Sequence, residues 1–350
     1  PLPGEATANV NTAGKGGEIV VVDSAGSSIV KTIILQHSEL PDTSISGRGI
    51  PNYLGAPVIT PDGLSAWVPS KQDNIKRGTL RDGQALTHDS AVRPIASRVD
   101  LTTLTEDYPA RVDFNDAGTP TAVCHDPSGI FTFVALEGSR AVAVVDAWNH
   151  QEITRFDAGR APQGLAVSAD GKTLFVQNFM DRSVTAHDLS GLLNGGTNPP
   201  VLLGSVVTVA VEKLAANVLL GKRHFYDTKD NRLALQEYIS CASCHADGGQ
   251  DGRVWDFTGF GEGLRNTITL HGQAGQGPLH WTGNFDEVQD FEGQIRNFAG
   301  GTGLITNGTP HPTLGTSNAG RSADLDALAA YLGSLTKTDD SPARQVAATL

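Results

Sequence analysis

Along the chain, the period of apolar and polar positions changes once. Up to about residue 208 apolar positions come in short alternating runs, such as Thr132-Phe133-Val134-Ala135-Leu136 and Ala141-Val142-Ala143-Val144-Val145, which is the period of a strand. The runs recur. Pro120-Thr-Ala-Val-Cys-His-Asp-Pro-Ser-Gly129-Ile-Phe-Thr-Phe-Val134 aligns with Pro162-Gln-Gly-Leu-Ala-Val-Ser-Ala-Asp-Gly171-Lys-Thr-Leu-Phe-Val176 at an offset of 42, and the same offset carries Arg140 to Asp146 onto Arg182 to Asp188. An earlier copy reads Thr60-Pro61-Asp62-Gly63 and then Ala66-Trp67-Val68. Runs ending in Val-Asp or an equivalent close at Asp23, Asp100, Asp146 and Asp188. Each unit reads as strand, Asp/Ser-Gly turn, strand, turn, strand.

A repeat of roughly 40 to 45 residues with several strands per unit predicts an all-β propeller over residues 1–208, because one such sheet cannot bury both faces alone. The units resemble the YVTN family of propeller repeats, most closely in Ala169-Asp170-Gly171-Lys172-Thr173-Leu174-Phe175-Val176. That resemblance implies the fold and says little about a ligand. The region holds four or five units, and the insertion between Asp62 and Asp100 breaks their spacing. Either the propeller is small or it is incomplete, with further blades preceding Pro1, and the incomplete propeller is the expectation. In this register Cys124 falls on Ala166 and on Val58, a core strand position that suits a small buried hydrophobe. Met180, the sole methionine, falls at a turn and reads as surface or packing.

Asn194-Gly-Gly-Thr-Asn-Pro-Pro200 reads as a turn-rich linker. After Val211 the pattern becomes helical. Glu212 to Tyr226 places Leu214, Val218, Leu219 and Phe225 near one face, and Asp227 to Asn231 reads as a turn. Ser322 to Leu335 is an amphipathic helix with Ser322 as N-cap, acids in its first turn, and Leu325, Leu328, Leu332 and Leu335 on one face. A mainly α-helical domain is therefore expected over 209–338, with 339–350 as a linker.

Composition narrows the function. Forty glycines, 18 prolines and 18% charged residues suit a turn-rich β protein. A net charge of −12 argues against nucleic acid and is compatible with a basic redox partner. No apolar run reaches the ~18 residues of a membrane helix, so no transmembrane segment is expected.

The chemistry concentrates at Cys241-Ala-Ser-Cys244-His245, the attachment pattern of a c-type haem. Each thiol can add across a haem vinyl group, and the following imidazole of His245 faces the iron. A zinc site would need further soft ligands, and Cys124 lies 117 residues away in a different kind of sequence. A redox dithiol would want a thioredoxin-like context, which is not found. One covalently attached haem c is expected. Such attachment belongs outside the cytoplasm, in the periplasm or at the cell surface of a bacterium. The chain, without an initiator Met or signal segment, reads as a mature or partial product.

From Gly221 to about Lys337 the sequence resembles one haem domain of the bacterial di-haem cytochrome c peroxidase and MauG family. The residues that carry this are Gly221-Lys222-x-x-Phe225, Cys241 to His245, Gly248-Gly249, Asp251-Gly252, Arg265-Asn266, His280-Trp281-x-Gly283 and Asp290-Phe291-Glu292-x-Gln294. Arg265 and Trp281 keep the family's interval of 16, with Thr282 where the family has Asp. The resemblance implies that Trp281 stands between two haems, against the alternative that it packs on one haem edge, and that a second haem domain would follow outside this chain. The family's distal His position holds Thr258. The sixth iron ligand is then His280, with His271 or an open iron as alternatives. Arg253 and Arg265 are candidate partners of the haem propionates, since arginine binds carboxylates bidentately. Asp286, Glu287 and Glu292 are carboxylates available for acid–base work at a peroxide-binding iron, or simply a carboxylate-rich helix start.

The expected function is extracytoplasmic electron transfer by a c-type haem protein with a propeller docking domain. Its partner would be a redox protein or a second haem domain. Two alternatives stand beside it: a peroxidase or MauG-like oxidase of which this chain is a part, and a propeller scaffold with an ancillary haem.

Overall fold

A computed structural model describes residues 16–337. The expected linker at 339–350 lies outside them. Strands dominate as far as Val207. The hairpin of β1 (Glu18–Asp23) and β2 (Ser28–Ile34) comes first. An antiparallel sheet follows in the order β3 (Ile50–Asn52), β5 (Ser65–Asp73), β6 (Val92–Asp100), β7 (Thr105–Glu106), with β4 (Val58–Ile59) beside β5 and β8 (Val112–Asp113) beside β6. The one-turn helix α1 (His88–Ala91) leads into β6. Two four-stranded meanders come next. One is β9 (Pro120–His125), β10 (Phe131–Leu136), β11 (Ala141–Asp146) and β12 (Gln151–Asp157). The other is β13 (Pro162–Val167), β14 (Thr173–Asn178), β15 (Ser183–Asp188) and β16 (Val201–Val207).

The offset of 42 holds strand for strand: β9, β10 and β11 begin at 120, 131 and 141, and β13, β14 and β15 at 162, 173 and 183. Three equivalent turns carry Gly63, Gly129 and Gly171 at φ +71°, +74° and +74°, a conformation that costs glycine nothing. The fourth strands break the offset. β12 begins at 151 and β16 at 201, because α2 (Ser190–Leu193) and Asn194 to Pro200 intervene. The turn-rich run read as a linker is therefore a loop inside the last meander. Turn residues mark a reversal of the chain and not its place relative to a domain boundary.

The sheets face one another. Along β10 the side chains alternate between two cores. Phe133 joins Cys124, Val142, Val144 and Leu174, and Val134 and Leu136 join Trp67, Val112 and Phe114. A strand buried on both faces has no polar side to show, which is why β10 and β11 read as near-continuous apolar runs. Cys124 packs there as a small hydrophobe, and burial pushes its thiol up to about 12.

The helical part begins with α3 (Ala216–Tyr226), four residues later than its apolar pattern suggests. The Glu212 carboxylate accepts the amides of Lys213 and Leu214, both at 2.9 Å, and pairs with Arg182 Nε at 3.0 Å, so this lead-in stays tied to β15's turn. After α3 come α4 (Cys241–Cys244), the hairpin β17 (Val254–Phe257) and β18 (Gly263–Asn266), α5 (Glu292–Asn297) and α6 (Ala323–Ser334). α3 packs on α6. A Cβ at Gly221 would lie 1.8 Å from the Ala327 carbonyl oxygen, so only glycine allows this approach. Phe225 is fully buried, edge-on to Tyr226 and Tyr331, and its burial is worth roughly 2–3 kcal/mol. Ser322 caps α6 by accepting the Leu325 amide at 3.3 Å.

Sheets and helices share cores. Met180 and Phe179, beyond β14, pack among Phe225, Tyr226, Leu328 and Cys241. Met180 is thus a buried packing residue. Thr228 wedges against Gly118 and Gly138, and Asp227 pairs with Arg140.

Candidate haem site

The attachment motif folds as one helical turn, α4. Ser240 and Ser243 close a reciprocal cap at its start, with the Ser240 amide donating to Ser243 Oγ at 3.1 Å. Spacing of three residues puts Cys241 and Cys244 on adjacent rungs of one face. They enter different cores. Cys241 borders the α3–α6 core, and Cys244 borders Leu86, Val92, Tyr238 and Trp255, a cluster shared with the β6 sheet. His245 is the C-cap. Its Nδ1 lies 3.2 Å from the Gly249 carbonyl, which can only accept, so Nδ1 donates and the ring's orientation is fixed. Burial lowers the His245 pKa, against backbone hydrogen bonds to Gly249 and Ile268, so the ring is neutral near pH 7.

Two tyrosines hold the exit from α4. Tyr53, after β3, donates its hydroxyl to the Cys244 carbonyl at 2.9 Å and accepts the Ala246 amide at 3.3 Å. Tyr226, from α3, donates to Asp247 Oδ1 at 2.9 Å and accepts the Asp247 amide at 3.2 Å. Burial keeps both phenols protonated.

Beside Tyr53 lies a buried group of charges. Lys71 and Asp73, at the end of β5, meet Asp251 and Arg253 from the segment after the motif. Lys71 Nζ is 2.8 Å from Asp73 and 3.6 Å from Asp251, and Arg253 Nε is 3.6 Å from Asp73. Asn52 donates to Asp73 at 2.8 Å, and Trp255 Nε1 to Asp251 at 2.9 Å. Burial opposes the Lys71 charge, but the two carboxylates outweigh it and raise its pKa. Burial drives Asp73 toward neutrality, while the ammonium, the Asn52 amide and the guanidinium favour its ionised form. The net effect raises the Asp73 pKa, with Asp251 adding to burial, so two cations here face two carboxylates in one buried group.

The other candidates gather around Glu262, a buried carboxylate that the sequence did not single out. His280 Nδ1 stands 3.5 Å from it and Arg265 Nε 3.6 Å, and the Thr282 hydroxyl donates to it. His280 also faces Asn284 at 2.9 Å and stacks against Phe285 and Phe291. Trp281 is half exposed, with its indole N–H on the Asn266 carbonyl at 2.9 Å. Arg265, His280 and Trp281 therefore come together. Arg253 stands apart from them, in the Lys71 group. His271 spends both ring nitrogens on carbonyls, Asp247 at 2.7 Å and Lys337 at 2.9 Å. Glu292 is buried and accepts the amides of Leu304 and Ile305 and the Arg296 guanidinium, a structural task. Asp286 and Glu287 bind the 315–319 loop.

The donor set fits a covalently held haem better than a metal ion. The motif offers two thiols and one imidazole, one soft ligand short of a closed zinc site. Among the described residues the motif's side chains form no cluster with a third cysteine or a carboxylate at ligand spacing; that geometry occurs at Asp286, Glu287 and Asp290.

Residues 215–299 match the family model of the di-haem cytochrome c peroxidases. That segment is similar to those proteins. The match takes in α3, the attachment motif, Glu262, Arg265, His280 and Trp281, and it covers under half of the chain. No curated protein matches the chain. Among solved structures, hydrazine synthase of Kuenenia stuttgartiensis is 15% identical with a TM-score of 0.34, over 49% of this chain and 64% of that one. The periplasmic gluconolactonase PpgL of Pseudomonas aeruginosa is 19% identical with a TM-score of 0.37, over 56% and 51%. The β-propeller domain of Cps50 (Swd1) from Myceliophteria thermophila is 13% identical with a TM-score of 0.29, over 54% and 65%. The chain spans about half to two thirds of the length of these structures. No helix among the described residues is long and apolar enough to cross a membrane.

Proposed function

We propose that the chain is an extracytoplasmic c-type haem protein that carries electrons, with propeller blades over 1–208 and a mono-haem domain over 209–338. The observation that carries this reading is Cys241, Cys244 and His245 on one capped turn inside a segment similar to di-haem cytochrome c peroxidases, with the imidazole oriented by the Gly249 carbonyl. When bound, the haem would supply a one-electron ferric/ferrous couple. Cys241 and Cys244 would tether it by thioether bonds, and His245 would offer Nε2 to the iron. His280 is the candidate sixth ligand, since His271 would first have to surrender a carbonyl. Arg265 is the candidate propionate partner, and Trp281, half exposed, is the candidate route for electrons to a redox protein or a second haem. The peptide mass, a Soret band and a pyridine haemochrome spectrum test the reading. One haem covalently bound per chain is expected, and colourless protein with the mass of its amino acids would overturn it.

The family name favours a second reading, a peroxidase of which this chain is part. The ferric spectrum separates the two. A low-spin iron indifferent to cyanide supports electron transfer, and a high-spin iron that binds cyanide supports catalysis.

A further inference from the structure

The buried charges beside α4 come half from the sheet region and half from the helical region. Lys71 and Asp73 end β5, and Asp251 and Arg253 follow the attachment motif. A surface role does not explain them, because Lys71 and Asp73 have no exposed side-chain area. Nor does stability, since buried ion pairs are often no better than apolar residues of the same volume. Their location is more telling. The Lys71 ammonium sits 4.6 Å from the centre of the Tyr53 ring, and the hydroxyl of that ring holds the Cys244 carbonyl. Lys71 also sits 5.8 Å from the ring of Trp255, which packs in the cluster that Cys244 borders.

We propose that Lys71 is a positioning residue of the sheet region that, held by Asp73 and Asp251 and seated on Tyr53, sets the redox potential of the haem tethered at Cys244. The proposal rests on the haem reading above. A haem bonded to the Cys244 sulfur would lie in the field of these charges, because one residue, Tyr53, touches both the Lys71 ammonium and the Cys244 carbonyl. Reduction of ferric to ferrous iron adds one electron, taken from the redox partner or, in a titration, from the mediator. A buried cation nearby favours that electron, and burial spares its field from screening by salt. The sheets would then be part of the electron-transfer site, and not only a docking platform.

The test is a spectroelectrochemical titration of the full haem-loaded chain and three variants. Lys71→Met leaves two carboxylates facing one cation, and its midpoint potential should fall. Asp73→Asn leaves two cations facing one carboxylate, and its potential should rise. The double variant is charge-balanced again and should return most of the way to the parent. All three lose the Lys71–Asp73 ion pair, so a merely structural role would move them together and in one direction. Equal potentials in all four proteins, or one common shift, would overturn the proposal. If Lys71→Met fails to accumulate, Asp73→Asn and the double variant still decide it, because only the first should depart from the parent. A parent protein without covalent haem would instead overturn the haem reading itself, which mass and the Soret band report before any titration.

Discussion

The Tyr53 hydroxyl donates to the Cys244 carbonyl at 2.9 Å, which ties a residue after β3 to the last residue of α4 across 191 positions of sequence. The same oxygen accepts the Ala246 amide. Tyr53→Phe keeps the ring under Lys71 and removes both bonds. Leaving a partly buried carbonyl and amide without this partner costs roughly 1–3 kcal/mol. Thermal unfolding followed by circular dichroism should show a lower midpoint, and an unchanged midpoint would count against the clamp.

Gly221 separates two effects of opposite sign. In an exposed helix interior, Gly→Ala stabilises by about 1 kcal/mol. At Gly221 the new Cβ would meet the Ala327 carbonyl oxygen, and overpacking of this kind costs roughly 1–3 kcal/mol or more. Gly221→Ala should therefore destabilise the protein. A rise in the urea midpoint would show that α3 and α6 are not in contact there.

Glu137, at the end of β10, is buried, and burial raises its pKa from 4.5 to about 7, with Asp247 adding to the rise and Gln163 and Lys222 opposing it. Between these values the folded protein holds a proton that the unfolded chain has released, so stability falls as pH rises. The contribution is complete below pH 4.5 and is lost as pH passes through about 7. Over that window it amounts to about 3 kcal/mol. Glu137→Gln should flatten the urea midpoint from about pH 3.5 to about pH 8, roughly one unit beyond each end of the titration, and stabilise the protein at the alkaline end. A parallel pH profile for parent and variant would refute this assignment.

Glu262 gathers His280, Thr282 and Arg265. Glu262→Gln removes the charge that Arg265 and His280 face while keeping the size of the side chain. Hydrogen bonds to a charged group are worth about 1.5–3 kcal/mol, so the loop of Trp281 should loosen. Steady-state tryptophan fluorescence quenched by acrylamide should report greater exposure of Trp281, read against a Trp281→Phe control. Identical quenching in parent and variant would show that Glu262 does not hold the loop.

The meanders were legible where the strands are local and periodic. β9 to β11 and β13 to β15 keep one offset, since each residue's facing follows from alternation and from Gly129 and Gly171 at the turns. The fourth strands were not legible. β12 is polar and β16 apolar and exposed, so neither shares the composition of the units they complete. Ser322 and the leucines of α6 were readable because an N-cap and a 3.6-residue stripe are local signals. Of the site residues, Arg265, His280 and Trp281 proved neighbours, while Arg253 proved the partner of Asp73, which no pattern in either segment could announce.

From the order of residues alone came the attachment pattern at Cys241, Cys244 and His245, the strand repeat, and the change to helices. Each depends on side chains a few positions apart, whose relative placement the backbone geometry of a turn or strand already dictates. Which groups surround that chemistry was decided only when the chain folded. Tyr53, Lys71 and Glu262 reach their partners across loops and between sheets, and hydrogen bonds and ion pairs depend on distance in space and not on separation along the chain.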